Sequence, residues 1–141
     1  NGYKRALEKN GLEYDEKLII RLKPAKRIYT IENGYNCTCE LLKSGVDFSC
    51  IYAISDTLAV GACRAIIDSG KRVPEDYCVA GAGGQDIAEY YHPSITTLKY
   101  PRVETAQQSV RTLFDLIDRK KVVKRQILGG TLIERESTRK L

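Results

Sequence analysis

Apolar positions in the middle of the chain switch between two spacings. Residues 48–54 form a short and largely apolar run, which is typical of a strand buried on both faces of a sheet. After it, apolar side chains recur at helical spacing through positions 60, 63, 66 and 67, so this segment is expected to be an amphipathic helix. Ser55 and Asp56 provide its amino-terminal cap, Gly70 ends it, and residues 77–82 are predicted to form the next strand.

The same two spacings continue on either side of this unit. Helical spacing predicts four further helices, at residues 3–10, 35–43, 86–91 and 101–120. Short apolar runs predict four further strands, at residues 18–20, 95–98, 126–128 and 131–134. Asn33 and Gly34 are expected to cap the 35–43 helix, and residues 28–31 fit either a strand or an extended segment. Strands that alternate with helices predict an α/β fold, with an open parallel sheet flanked by helices on both faces.

Size and composition fit one globular domain. The chain has 141 residues, of which 43% are hydrophobic and 29% are charged, enough for a core of its own. No apolar run approaches the roughly 20 residues of a membrane helix, and no signal peptide opens the chain, so no membrane partner is expected. The chain contains no methionine, and we expect residue 1 to be an internal point of a longer protein.

The net charge of +5 is spread along the chain except at two basic runs, residues 119–121 and 124–125. These runs are compatible with a nucleic-acid patch. The simpler interpretation, which we favour, is a solvated loop whose cations complement the carboxyl end of the preceding helix.

Five cysteines are present, and their spacing argues against a metal site. None of them forms a C-x-x-C pair, and the only close pair, Cys37 and Cys39, lies far in sequence from the single histidine, His92. The others lie in apolar stretches, where a thiol behaves as a small hydrophobic group. We therefore expect reduced thiols, a cytoplasmic location, no metal and no cofactor.

Few residues in the chain suggest catalysis. The glycines of residues 81–84 lack the further glycine and long helix of a dinucleotide-binding loop, and a sharp turn explains them as well. No hydrolase nucleophile motif is present, so we predict no catalytic residue and a protein that is not an enzyme. Asp56, Asp86 and Glu89 follow predicted strands, where carboxylates either accept bonds from sugar hydroxyls or cap helices. A small enzyme using Cys37 and Cys39, or the glycine loop, remains an alternative.

Several motifs together resemble one family, the LacI/GalR-type bacterial transcription regulators. The family pattern N-D-x-x-A-x-G-A-x-x-A is matched by S-D-T-L-A-V-G-A-C-R-A at residues 55–65, and G-x-x-V-P-x-D by G-K-R-V-P-E-D at residues 70–76. The strand and loop V-x-G-[FY]-D-[DN] correspond to V-A-G-A-G-G at residues 79–84, and P-x-[LI]-T-T to P-S-I-T-T at residues 93–97. The first helix, G-Y-K-R-A-L from residue 2, and the tail L-I-E-R-E-S-T from residue 132 also fit.

The resemblance implies a periplasmic-binding-protein-like effector domain, in which two α/β lobes hold a small molecule between them. Residues 1–100 and 128–141 would form the C-terminal lobe, whereas residues 101–127 would ordinarily belong to the N-terminal lobe. The rest of that lobe and the DNA-reading helix-turn-helix would lie upstream of residue 1. Operator DNA would therefore be contacted only through that missing domain.

The resemblance also implies site residues. Those that would face the ligand are Ser55, Asp56, Gly83, Gly84 and Tyr100. Two of them depart from the family pattern. Ser55 occupies the position of an asparagine, whose amide side chain is longer, and Gly83 occupies that of an aspartate, whose carboxylate accepts bonds from sugar hydroxyls. The expected dimer surface comprises Val60, Cys63, Arg64, Ile67, Tyr90, Tyr91 and Pro93.

These features favour the effector-binding and dimerisation part of a repressor that controls a carbohydrate operon. The expected partners are a second copy of the chain and a sugar or sugar phosphate. The departures at Ser55 and Gly83 leave room for a bulky sugar, such as sucrose or another disaccharide. The alternative is an extracytoplasmic sugar receptor of the same fold.

Overall fold

The computed structural model describes residues 2–22 and 27–139, which form an α/β unit. The helices are α1 (Gly2–Lys9), α2 (Ile31–Lys43), α3 (Asp56–Asp68), α4 (Asp86–Tyr90) and α5 (Arg102–Ile117). The strands are β1 (Cys50–Tyr52), β2 (Cys78–Gly83), β3 (Thr96–Lys99) and β4 (Thr131–Ile133).

The four described strands form one sheet in the order β1-β2-β3-β4. The first three run parallel, as predicted, with Ile51 beside Val79 and Gly81 beside Thr97. β4 runs antiparallel to β3, so the sheet is mixed and not fully parallel. The chain reaches β4 after α5 and a long connection, and it returns along β3 in the opposite direction. The α/β fold class is confirmed, with this one change of direction.

Helices α3 and α4 lie on the same face of the sheet. Each step from β1 to β2 to β3 moves in the same direction, and right-handed crossovers therefore place α3 and α4 on the same side. Their core includes Val79 from β2, Ile95 immediately before β3, and Ile66 and Ala88 from the helices. Among the described helices, α1 and α5 contain no buried residue.

Two glycines allow α2 to cross α3 at very short range. A Cβ atom added at Gly34 would lie 2.2 Å from the backbone oxygen of Leu58, and one added at Gly61 would lie 2.0 Å from that of Ile31. The backbones of the two helices are thus in direct contact, with no side chain between them. This contact joins α2 to the α3 layer that covers the sheet.

Several predicted boundaries differ from the structure. Helix α2 begins at Ile31, because the hydroxyl of Thr30 accepts a bond from the backbone N–H of Asn33 (3.1 Å) and caps the helix there. Residues 33 and 34 are therefore inside the helix and do not cap it. Residues 28–30 are irregular, the predicted strand at 18–20 is replaced by a 3₁₀ turn over Glu16–Leu18, and residues 126–128 form no strand.

The described C-terminal residues are built into the sheet through Ser137, which is fully buried. Its backbone oxygen accepts a bond from the N–H of Val79 (2.9 Å), and its hydroxyl donates to the backbone oxygen of Val79 (2.5 Å). The same hydroxyl accepts a bond from the N–H of Thr96 (2.9 Å). One side chain thereby joins β2 to β3 at the end of the sheet opposite to Asp56.

Replacing Ser137 with alanine is expected to destabilise the fold. The substitution removes the acceptor of the Thr96 N–H and one donor to the Val79 oxygen. Because Ser137 is buried, this loss costs about 2 kcal/mol of unfolding free energy. Urea denaturation measures the loss, with Ser109→Ala on the exposed surface of α5 as the matched control. Equal stability of the two variants would contradict the bridging role of Ser137.

Candidate functional site

The carboxyl ends of β1, β2 and β3 bring the predicted ligand residues to one edge of the sheet. Ser55 and Asp56 follow β1, Gly83 and Gly84 lie at the end of β2, and Tyr100 follows β3. Open α/β sheets bind ligands at this edge. The five residues predicted to face a ligand are thus neighbours, but the structure gives them different environments.

Asp56 lies beneath the edge and not on it. Its side chain is 0% exposed, and both carboxylate oxygens are occupied by bonds within the chain. One oxygen accepts a bond from the hydroxyl of Thr97 (2.5 Å) and the other from the backbone N–H of Gln85 (2.7 Å). The hydroxyl of Thr97 in turn accepts a bond from the N–H of Gly84 (3.3 Å). Asp56 therefore ties together α3, β3 and the loop after β2, and its contact with a ligand stays a prediction.

The hydroxyl of Ser55 is also occupied by contacts with neighbouring residues of the chain. Its hydroxyl accepts a bond from the backbone N–H of Leu58 (3.3 Å), which caps α3, and it lies 2.9 Å from the hydroxyl of Thr57. The residue is buried. The predicted cap is confirmed, and the side chain offers little surface to a ligand.

The glycine loop after β2 provides backbone groups in place of side chains. Gly83 has a φ of +130° and Gly84 one of +63°, conformations that side chains disfavour. A Cβ atom at Gly84 would lie 2.7 Å from the side chain of Lys99. The backbone oxygen of Gly83 accepts a bond from the guanidinium of Arg102 (2.6 Å), which brings the start of α5 to this edge.

An open depression of about 490 Å³ lies beside the glycine loop, lined by Gln85, Asp86, Ile87 and Arg102. Arg102 and Gln85 were not among the predicted site residues. Arg102 is the first residue of an amphipathic helix and Gln85 is a polar residue just before α4, so neither carries a sequence signal. The depression combines a cation, a carboxylate and an amide, which suits a polyhydroxylated ligand.

Two tyrosines present aromatic rings close to this edge. Tyr100 is 47% exposed, and Tyr52 is also exposed at the end of β1. Partial burial raises the pKa of the Tyr52 phenol, and Tyr100 and Asp56 raise it further. The Tyr52 ring is therefore available at neutral pH as an uncharged surface.

The residues predicted for the dimer surface separate into two groups. Val60 and Cys63 are buried in the core of the chain, so their side chains are removed from that surface. Burial raises the pKa of the Cys63 thiol to about 12, which leaves it protonated and inert. The other five have exposed or half-buried side chains: Arg64, Ile67, Tyr90, Tyr91 and Pro93.

The described residues form neither a metal cluster nor a membrane-spanning helix. Within residues 2–22 and 27–139, no group of three or more His, Cys, Asp or Glu side chains is arranged to hold a metal ion. None of the helices in the described part of the chain is long and apolar enough to cross a membrane.

Comparisons with known proteins agree with this architecture. Residues 1–138 match the family model described as a periplasmic binding protein-like domain. The transcriptional regulator MalR of Clostridium butyricum is 41% identical over 137 residues, which cover 97% of this chain and 39% of MalR. A solved structure of a CelR–cellobiose complex superposes with a TM-score of 0.85 at 32% identity, covering 96% of this chain and 40% of CelR. The Escherichia coli repressor ascG superposes with a TM-score of 0.81 at 32% identity, over 96% of this chain and 48% of ascG.

A mixed α/β sheet with polar groups and glycines at its carboxyl edge is one lobe of a periplasmic-binding-protein-like fold. The chain belongs to the family of periplasmic binding protein-like domains, and within it to the LacI/GalR-type regulators. This confirms the family resemblance. The chain spans less than half the length of MalR, CelR or ascG.

Proposed function

We propose that this chain is the C-terminal effector-binding and dimerisation part of a sugar-responsive transcriptional repressor. The single observation that carries the proposal is the edge formed by the glycine loop, Tyr100 and Arg102 at the carboxyl ends of parallel strands. The regulators MalR, CelR and ascG, which are similar over almost the whole chain, support it. The role is binding and not catalysis.

We infer that residues 1–100 and 128–141 belong to one lobe, and that residues 101–127 cross to the other. Helix α5 supports this division, because its apolar side chains are exposed within the described part of the chain. They include Val103, Val110, Leu113, Phe114 and Ile117. A second lobe that covers this face would remove it from water. The operator-reading domain would precede that lobe, and the intact protein would act in the cytoplasm.

The proposed effector is a disaccharide or another bulky sugar, with a sugar phosphate as the second possibility. The glycine loop leaves the edge open where a side chain would narrow it, and Tyr100 offers a ring on which a sugar can stack. CelR was solved with cellobiose, a disaccharide, which supports this size of ligand. A guanidinium such as Arg102 can donate to hydroxyl or phosphate oxygens.

Regulation would follow from a two-state equilibrium of the two lobes. A sugar that binds better to one arrangement of the lobes shifts the population towards it, and this changes the affinity for the operator. The proposed dimer surface uses Arg64, Ile67, Tyr90, Tyr91 and Pro93. A homodimer would place two DNA-reading domains side by side, as palindromic operators require.

A panel of disaccharides and sugar phosphates tested by calorimetry on the intact protein provides the experiment. We expect one sugar to bind, and Tyr100→Ala to weaken its affinity by about tenfold, a typical cost for removing an aromatic contact. Tyr3→Ala, on exposed α1, is the matched control and should bind as the parent does. The 141-residue chain alone should bind weakly or not at all, since half of the cleft is missing.

A panel in which no sugar binds the intact protein, or micromolar binding by the 141-residue chain alone, would contradict this proposal. The second result would indicate a complete site within the chain. An extracytoplasmic receptor of the same fold would bind sugar but not operator DNA. An electrophoretic mobility assay on the intact protein separates these two functions.

A further inference from the structure

The loop of residues 90–93, which we call the tyrosine loop, is held at both ends by the C-terminal segment. It consists of Tyr90, the last residue of α4, and the first three residues of the connection to β3, and it contains Tyr90, Tyr91 and Pro93 of the proposed dimer surface. Residues 135–137, which we call the clasp, contact the chain immediately before and after this loop. The contacts that follow link residues at least 39 positions apart in sequence.

Glu136 fixes the end of the tyrosine loop. Its carboxylate accepts bonds from the backbone N–H of Ser94 (2.7 Å) and from the Ser94 hydroxyl (3.0 Å), and it lies 3.5 Å from Nδ1 of His92. The bonds from Ser94, with a smaller effect of His92, lower the pKa of Glu136 and keep it ionised at neutral pH. The loop therefore enters β3 in one defined position.

Arg135 fixes the start of the loop. Its guanidinium donates to the carboxylate of Glu89 in α4 (3.1 Å) and to the backbone oxygen of Ile95 (3.0 Å). The side chain of Arg135 is only 15% exposed, which is unusual for an arginine and shows that it is packed in place. It thus spans from the helix before the tyrosine loop to the strand after it.

The clasp is itself anchored in the sheet. The backbone N–H of Ser137 donates to the oxygen of Ser94 (2.9 Å), and its hydroxyl joins β2 and β3 as described above. The N–H of Arg135 donates to the hydroxyl of Thr96 (2.8 Å). Since Ser137 is buried and fixed, Arg135 and Glu136 cannot move without disturbing the sheet.

The held loop presents an aromatic side chain to solvent. Tyr90 is 84% exposed. Tyr91 is partly buried and packs against the hydrophobic core, which attaches the loop to the core. A large aromatic ring on a fixed loop loses little conformational freedom on binding and is a common hot spot of interfaces. Ordering a mobile loop at the moment of association would cost affinity instead.

We propose that Arg135 and Glu136 are positioning residues for homodimerisation, because they preset the tyrosine loop for a second copy of the chain. The inference rests on the proposed function, in which this loop is part of the dimer surface. The clasp does not itself touch the partner. It gives the C-terminal segment a role in assembly beyond its contribution to folding.

Analytical ultracentrifugation of the intact protein, over a range of concentrations, tests the proposal with Glu136→Ala. Water can replace the exposed carboxylate of Glu136, so the fold should survive while the loop is released. We expect the dimer dissociation constant to rise about tenfold, and amide hydrogen exchange of residues 91–95 to accelerate. Glu136→Gln retains an acceptor oxygen for Ser94 and should restore most of the affinity.

Arg72→Ala is the matched control, since it removes an exposed ion pair with Asp76 (2.8 Å) outside the clasp and the loop. It should leave the dissociation constant unchanged. A parent protein that is monomeric at all concentrations would overturn the proposed dimer itself. If the parent is dimeric, two results would overturn the positioning role alone. One is a Glu136→Ala variant with the same dimer dissociation constant as Arg72→Ala. The other is a Glu136→Gln variant whose dissociation constant is as high as that of Glu136→Ala.

Discussion

Replacing Gly61 with alanine is expected to lower the free energy of unfolding by about 3 kcal/mol, the upper part of the usual range for overpacking. The new Cβ atom would lie 2.0 Å from the backbone oxygen of Ile31 and 2.7 Å from the backbone nitrogen of Tyr35. Neither atom can move as a flexible side chain does, because both belong to the backbone of α2. The two helices would have to separate, and the core beneath them would open.

The sign of this effect distinguishes packing from helix propensity. Alanine stabilises the interior of a helix by about 1 kcal/mol relative to glycine, so a local effect alone would make the variant more stable. A loss of stability must therefore come from the contact between α2 and α3. The residue was recognised in the sequence only as part of a family motif, and the structure supplies its physical reason.

Thermal and urea unfolding of the variant measure the loss, which corresponds to roughly 10 °C in the unfolding midpoint. Gly129→Ala is the matched control, because nothing lies within 4 Å of an added Cβ atom there. That variant should stay close to the parent. An alanine at position 61 that leaves stability unchanged would mean that α2 and α3 do not cross as closely as described.

Local chemistry predicted the centre of the fold well. The Ser55 cap, the apolar stripe of α3 and the glycine at position 70 are signals that act within a few residues, and they hold in the structure. The direction of β4 could not be predicted, because it depends on the path of a connection more than ten residues long. The predicted start of α2 lies four residues too late, because Thr30 caps the helix and Asn33 lies inside it.

Local sequence signals place the predicted ligand residues at one edge of the sheet, but they do not show which bonds those residues make. Strand ends are local features, so the sequence indicates which residues gather at the edge. Whether a carboxylate there faces solvent depends on partners distant in sequence. Thr97 and Gln85 lie 41 and 29 positions from Asp56, and nothing near Asp56 announces them. The same limit applies to Val60 and Cys63, whose helical spacing fits a core face and a dimer face equally.

Replacing Asp56 with alanine is expected to lower the free energy of unfolding by about 3 kcal/mol, since the buried hydroxyl of Thr97 and the half-buried N–H of Gln85 lose their acceptor at roughly 1–3 kcal/mol each. Asp56→Asn should cost less. Its amide oxygen can accept from the fixed N–H of Gln85 while its NH₂ group donates to the hydroxyl of Thr97. The difference between these variants therefore measures the network itself, separately from the loss of volume.

Urea denaturation of both variants checks this order, with Asp47→Ala as the control, an exposed aspartate that should change stability by less than about 0.5 kcal/mol. In the intact protein, Asp56→Ala should also weaken sugar binding, because the glycine loop loses the acceptor that holds it at Gln85. If Asp56→Ala were as stable as Asp47→Ala but could not bind sugar, then Asp56 would contact the ligand directly. That result would require the carboxylate to leave Thr97 and turn outward, an arrangement in which the sugar takes the place of the chain's own donors.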